Sequence, residues 1–248
     1  MILQTKEMRS RMKIFAIGDL HLSSDGLKPM DIYGGQWINH TERLEKKWRS
    51  LVGENDLVII PGDISWALKR QDAEEDLAWV ARLPGKKVLI KGNHDLWWTS
   101  VTKLNQMHES LFFLQNTCYM AGTTAICGSR GWVCPGDTDF TKQDEKIYKR
   151  ELGRLRLSLE AAVDTGASEI IGALHFPPAN DKYEDSGFTA LFEEYGVKLV
   201  VYGHLHGPEA HLRGIQGMRN GVEYRLVSCD HLSCCPLLIS GRGIGGAK

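Results

Sequence analysis

Two Asp, one Asn and five His stand at short spacings in this 248-residue chain, each just beyond a short apolar run. Asp19 and His21 lie in Gly18-Asp19-Leu20-His21, and Asp63 follows Gly62. Asn93 and His94 lie in Gly92-Asn93-His94-Asp95, His175 stands alone, and His204 and His206 lie in Gly203-His204-Leu205-His206-Gly207. Carboxylate, amide and imidazole donors in this number suffice for two divalent cations, with an imidazole left over for catalysis. The set is mixed N/O and holds no thiolate, which suits Mn, Fe, Co, Ni or Zn better than Ca. Each motif has a plainer reading by itself, since an Asp after a Gly or an Asn after a Gly is commonly a turn residue. Paired imidazoles between two glycines after a buried strand have little structural use. The whole series failing together would be a large coincidence.

The elements that must position these groups are legible as Val-, Ile- and Leu-rich runs at 14–17, 57–60, 88–90, 170–174 and 198–202. Such runs predict strands buried on both faces. In open α/β sheets, ligands collect outside the carboxyl ends of such strands. Five motif-bearing loops are therefore expected to converge on one crevice. Helical patterns alternate with the strands at 40–52, 71–82, 100–109, 141–163 and 188–195. In the longest, Tyr148, Leu152, Leu155, Leu159 and Ala162 follow 4-3-4-3 spacing, the stripe of a core-facing helix, although a dimer seam would use the same stripe. Further runs at 111–114, 124–127, 222–227 and 236–239 come without regular helices between them, so part of the architecture is expected to be antiparallel or mixed. One domain over 1–248 is the simplest organisation, with 1–11 and 241–248 expected to be flexible ends.

Composition narrows the partners. Thirty Lys plus Arg against 31 Asp plus Glu leave a formal charge of −1, which gives no global field to gather nucleic acid or an anionic membrane. No signal-peptide pattern precedes the first strand, and no run approaches the roughly 18 apolar residues needed to span a bilayer. A soluble, cytoplasmic protein is expected. The six Cys form no CxxC pair, and reduced thiols are the default in a chain this long.

The ordered series D-x-H, G-D, G-N-H-D, H and G-H-x-H resembles the calcineurin-like metallophosphoesterase superfamily over residues 12–240. The resemblance implies an α/β fold, a sandwich of two mixed β-sheets flanked by helices, with a dinuclear metal centre at the strand ends. It implies Asp19, His21 and His206 on one metal, Asn93, His175 and His204 on the other, and Asp63 bridging both. His94 would stabilise the phosphoryl group or protonate the leaving oxygen. Asp95 would orient that imidazole, or else cap the segment that follows. The implied reaction is hydrolysis of a phosphomonoester or phosphodiester by a metal-bridging hydroxide.

The chain departs from the GDxxDRG pattern of the protein Ser/Thr phosphatases, because Gly62-Asp63-Ile64-Ser65-Trp66-Ala67-Leu68 lacks the Asp-Arg pair. A phosphorylated small molecule is therefore the expected substrate. Arg130, in Ser129-Arg130-Gly131-Trp132, offers another guanidinium that could grip phosphate, or is a plain surface charge. Loops 22–37, 129–140 and 176–187 are expected to form the rim. Trp37, Trp66, Trp97, Trp98 and Trp132 lie near motifs, where packing is the weightier expectation and stacking on a substrate the other. His40, His108, His211 and His231 match no motif and read as surface or satisfied core residues. A nuclease and a non-catalytic scaffold are the alternatives. Balanced charge weighs against the first, and the complete donor set against the second.

Overall fold

The computed structural model describes residues 12–240, so the expected flexible ends 1–11 and 241–248 lie outside the described residues. Among the described residues, eleven strands form two mixed sheets. In the first, β1 (Ile14–Ala16), β2 (Leu57–Pro61), β3 (Lys86–Ile90) and β4 (Leu111–Phe113) run parallel, and β11 (Leu237–Ser240) pairs antiparallel with β1. The second has the order β5-β6-β7-β8-β10-β9. Its parallel centre is β6 (Thr124–Ser129), β7 (Glu169–Leu174), β8 (Leu199–Tyr202) and β10 (Val222–Leu226). Its antiparallel edges are β5 (Cys118–Ala121) and β9 (Gly217–Arg219). The mixed α/β sandwich is thus the architecture expected from the resemblance.

Period-2 alternation sorts the strand side chains into layers. Ile14, Leu57, Ile59, Val88 and Ile90 of the first sheet meet Ile126, Ile171, Ala173, Leu199 and Val201 of the second. The opposite side chains of the first sheet, Phe15, Val58, Ile60 and Leu89, pack on Leu44 and Trp48 of α1 (His40–Leu51) and Leu77 and Val80 of α2 (Glu74–Arg82). Those of the second sheet pack on α4 (Lys142–Asp164) and α5 (Gly187–Glu194). Burying each strand on both faces is what the unbroken apolar runs require. The α4 stripe lies in this core: Leu155, Leu159 and Ala162 are fully buried and Leu152 packs beside them. A Thr141–Asp144 capping box starts the helix, satisfying otherwise unpaired N–H groups.

Several elements differ from their expected extents. The helix expected over 100–109 is only α3 (Val101–Leu104). Asn105 ends it, because its side chain accepts from Phe113 N at 2.7 Å and donates to Phe113 O at 3.3 Å, a local bond that competes with helix. β9 and the one-turn α6 (Pro208–His211) carry no apolar run to announce them, and β5, Cys-Tyr-Met-Ala, is apolar but holds no Val, Ile or Leu. No helix among the described residues is long and apolar enough to cross a membrane.

Candidate metal centre and cleft

The loops leaving β1 and β2 travel together. Asp19 N–H donates to Gly62 O at 2.9 Å, His21 N–H to Asp63 O at 3.0 Å and Leu22 N–H to Ile64 O at 2.9 Å. Within these loops and the one after β8, Asp19, His21, Asp63 and His204 hold φ of 56°, 46°, 50° and 74°. Left-handed backbone at residues other than Gly costs on the order of 1–3 kcal/mol each and persists only where the surroundings enforce it. Two motif glycines are explained by close approach. A Cβ at Gly92 would collide with the Asp63 carboxylate, and one at Gly203 with that of Asp19.

The geometry gathers all seven expected donors into two adjoining groups. In one, His21 Nε2 lies 3.2 Å from His206 Nε2, and His206 Nε2 lies 3.6 Å from Asp19 Oδ1. In the other, Asn93 Oδ1 lies 2.7 Å from His175 Nε2 and 3.0 Å from His204 Nδ1, and the two imidazole nitrogens are 3.2 Å apart. Asp63 Oδ2 faces both groups, 3.9 Å from His21 Nε2 and 3.5 Å from His175 Nε2.

The tautomers give this crowding a meaning. His175 Nδ1 lies 3.0 Å from Pro61 O, a group that only accepts, so Nδ1–H donates and Nε2 presents a lone pair. His206 Nδ1 likewise donates to Asp230 Oδ1 at 3.0 Å, which turns Nε2 toward Asp19 and His21, where a proton holds the place a cation would take. Two acceptors, His175 Nε2 and Asn93 Oδ1, therefore face each other at 2.7 Å. A cation between them satisfies the arrangement, and the donor types fit a divalent transition metal.

The carboxylates reflect the same congestion. Burial alone would raise Asp19, but His206, His175 and His21 around it hold it well below the usual carboxylate range. Asp63 is pushed up to about 7 by burial and by the charge of Asp19. Burial works against the charged form of His206, yet Asp19 and Asp230 raise it to about 10. His204 is pushed down to about 3 by burial and by His175. Two buried carboxylates at this spacing need positive charge between them to ionise together.

His94 stands at the border of this cluster. Its backbone N–H donates to Asp63 Oδ1 at 2.8 Å, and its imidazole is 44% exposed with Nε2 4.0 Å from Asp63 Oδ2. Asp95 does something other than orient it. Fully buried, Asp95 accepts from Ile64 N, Ser65 N and Trp97 Nε1 on Oδ1, at 2.9, 3.2 and 3.1 Å, and from Gly92 N on Oδ2 at 2.7 Å. It staples the Asp63 loop to the Asn93 loop, and its oxygens are taken up by those donors. Arg130 is engaged elsewhere as well. Its guanidinium lies 3.4 Å from buried Glu151 and 4.3 Å from the Trp132 ring centroid, in a narrow crevice shared with Lys91 and Arg154. Arg130 is not among the described groups lining the cleft over the centre, so it is not placed to grip phosphate there.

A cleft of about 690 Å³ opens over the centre. Met30, Tyr33, Trp37 and Trp66 contribute one set of lining groups; His206, His211, Asp230 and His231 contribute another, and His21 and His94 also line it. His211 and His231, which match no motif, are thus cleft residues. His40 is a satisfied core residue, with Nε2 3.0 Å from Leu20 O. Trp97 and Trp98 are buried packing residues, and Trp37 is buried yet borders the cleft against His21 and His206. Asp230, which has no place among the expected site residues, accepts from His206 on one oxygen and from Gly207 N and His211 Nε2 on the other, at 2.8 and 3.1 Å. It follows the alternating segment Val222–Leu226, a weaker signal than the unbroken apolar runs that precede the other donors.

Comparison with known proteins identifies the family. The family model for calcineurin-like phosphoesterases matches residues 12–208. The Gene 66 protein of Mycobacterium phage D29 is 34% identical over 196 residues, 78% of this chain and 78% of that protein. A probable cyclic nucleotide phosphodiesterase of Coxiella burnetii is 23% identical over 206 residues, 79% of this chain and 76% of its own length. The solved structure of the phosphopantetheinyl hydrolase of Mycobacterium tuberculosis shares the fold at a TM-score of 0.60 and 16% identity, covering 96% of this chain and 99% of that one. The chain belongs to the calcineurin-like phosphoesterase family and is a metal-dependent phosphohydrolase.

Proposed function

We propose that this protein hydrolyses a phosphomonoester or phosphodiester of a small molecule at a centre of two divalent ions. Asp19, His21 and His206 would hold one ion, Asn93, His175 and His204 the other, with Asp63 shared. The observation that carries the reading is the convergence of donor groups from both sides on Asp63 Oδ2, with His175 held in the tautomer that aims its lone pair inward and His206 Nε2 turned the same way. When bound, such a pair supplies positive charge for the phosphoryl oxygens and acidifies water for in-line attack. The N/O donor set favours Mn, Fe, Zn, Co or Ni.

The chain's own residues do the rest. Pro61 O and Asp230 keep the two imidazoles oriented. Asp95 locks the Asp63 and Asn93 loops at a fixed separation. His94, open to the cleft, delivers a proton to the leaving oxygen. The described cleft lining includes no Lys or Arg, and Lys28 stands beside it over the Trp66 ring; so sparse a set of cations supports a small ester with an apolar or flat substituent over nucleic acid, whose binding rests on many phosphate-contacting cations. The relative named as a probable cyclic nucleotide phosphodiesterase makes a cyclic diester one candidate. Six free thiols fit a reducing compartment such as the cytoplasm.

The test is a comparison of p-nitrophenyl phosphate, its bis ester and a cyclic nucleotide with Mn-loaded protein. Metal-dependent turnover of at least one, abolished by chelation, is expected. Metal-loaded protein inert toward all three would refute the reading.

A further inference from the structure

Trp66 sits three residues past Asp63, and its half-buried indole touches two groups of the site. It stacks on His21 at 4.7 Å between centroids and 21° between planes, and meets the His94 ring at 4.3 Å and 52°. The indole is itself anchored. Its backbone N–H donates to Leu22 O at 2.9 Å, its Nε1–H points at Met30 Sδ at 3.3 Å, and Lys28 Nζ lies 4.5 Å from the ring centroid.

His94 lacks such anchors. Its imidazole is 44% exposed, and its nearest carboxylate oxygen, Asp63 Oδ2, is at 4.0 Å. Among the described residues, the imidazole makes no hydrogen bond. An imidazole without a hydrogen bond turns broadly about χ2, whereas proton delivery needs a nitrogen held within hydrogen-bond reach of the leaving oxygen. The surface that narrows this freedom is the indole face.

We propose that Trp66 is a positioning residue that holds the His94 ring at the angle from which it hands its proton to the leaving oxygen of the substrate. The proposal rests on the reading of His94 as that proton donor. As the P–O ester bond breaks, the leaving oxygen takes the His94 proton, and the proton is restored from the attacking water. Lys28 adds a cation–π contact that presses the indole into the same position.

The experiment compares wild type, His94→Ala, Trp66→Ala and Trp66→Phe on two esters. The p-nitrophenolate leaving group is weakly basic and barely needs a proton, whereas an alkoxide needs one. Trp66→Ala should slow kcat for an alkyl phosphoester about 10-fold more than for p-nitrophenyl phosphate, within the range a general acid supplies. Trp66→Phe should restore most of the loss. Trp66→Ala added to His94→Ala should not change the discrimination further.

A second readout needs neither metal nor turnover. In metal-free protein, the His94 ring-proton NMR resonances should lose their ring-current shift in Trp66→Ala and keep much of it in Trp66→Phe. Should Trp66→Ala not fold, Trp66→Leu keeps apolar volume without a flat ring and serves instead. Discrimination in His94→Ala without any in Trp66→Ala would overturn the role of Trp66 and leave the reading of His94 standing. No discrimination in His94→Ala would overturn both.

Discussion

Asp230 and His206 lie 24 positions apart in sequence, and the carboxylate accepts the imidazole Nδ1–H at 3.0 Å. The same carboxylate holds Gly207 N–H and His211, so one buried side chain fixes the ring, the backbone after it and the cleft wall beside it. Such carboxylate partners orient a coordinating imidazole and raise its basicity. Asp230→Asn should lower metal affinity about 10–100-fold while leaving the circular dichroism spectrum unchanged. Equilibrium dialysis with Mn would decide it, and wild-type affinity in the variant would contradict the assignment.

Asp63 and His94 should separate metal retention from turnover. Asp63→Asn removes the charge that faces both groups, so bound metal should drop and hydrolysis fall by roughly 100-fold or more. His94→Ala should keep its metal and lose about 10²–10⁴ in kcat for a poor leaving group. Metal analysis beside steady-state kinetics on the same preparations checks the pair. Loss of metal from the His94 variant would place that residue among the ligands.

Gly203→Ala would drive a methyl into the Asp19 carboxylate. Overpacking of this kind costs about 1–3 kcal/mol, and here it also displaces a proposed ligand. The expected outcome is a lower Tm together with weaker metal uptake. A variant with normal Tm and normal uptake would show that the Asp19 loop yields freely to the added methyl.

Away from the centre, Lys87 on β3 is fully buried, and its ammonium donates to the carbonyls of Leu83 and Ala81 at the end of α2. Burial pushes it down to about 8 from the ordinary 10.5. The unfolded chain therefore keeps this proton to higher pH than the folded one. Between pH 8 and 10.5 the unfolded state binds more protons, so this residue makes stability rise with pH across that window. The gain is on the order of 2–3 kcal/mol. Urea unfolding at pH 8 and pH 10 measures it, and Lys87→Met should remove that pH-dependent contribution.

The sequence carries the donors and the strands that present them because both obey local rules. An apolar run followed by Asp, Asn or His survives as a pattern whatever the rest of the chain does. That is how Asp19, Asp63, Asn93, His175, His204 and His206 were legible. What escaped depends on contacts between distant segments. Arg130 looks available until Glu151, on α4, is seen beside it. Asp95 looks poised behind His94 until the Asp63 loop arrives and uses its oxygens. α3 loses its second half to a bond between Asn105 and Phe113, made only once β4 lies alongside. Trp66 reads as packing, and its meeting with His21 and His94 depends on two loops crossing at one point.

The left-handed backbone at Asp19, His21, Asp63 and His204 has a consequence for how the protein loosens. These positions work like a set trap, kept cocked by neighbouring loops and with little tendency of their own to stay there. Amide hydrogens of the three loops that hold them should exchange with deuterium sooner than those of the strands behind them, and cation uptake should slow that exchange. Chelators would then do more than switch off hydrolysis: they would expose this rim to proteases.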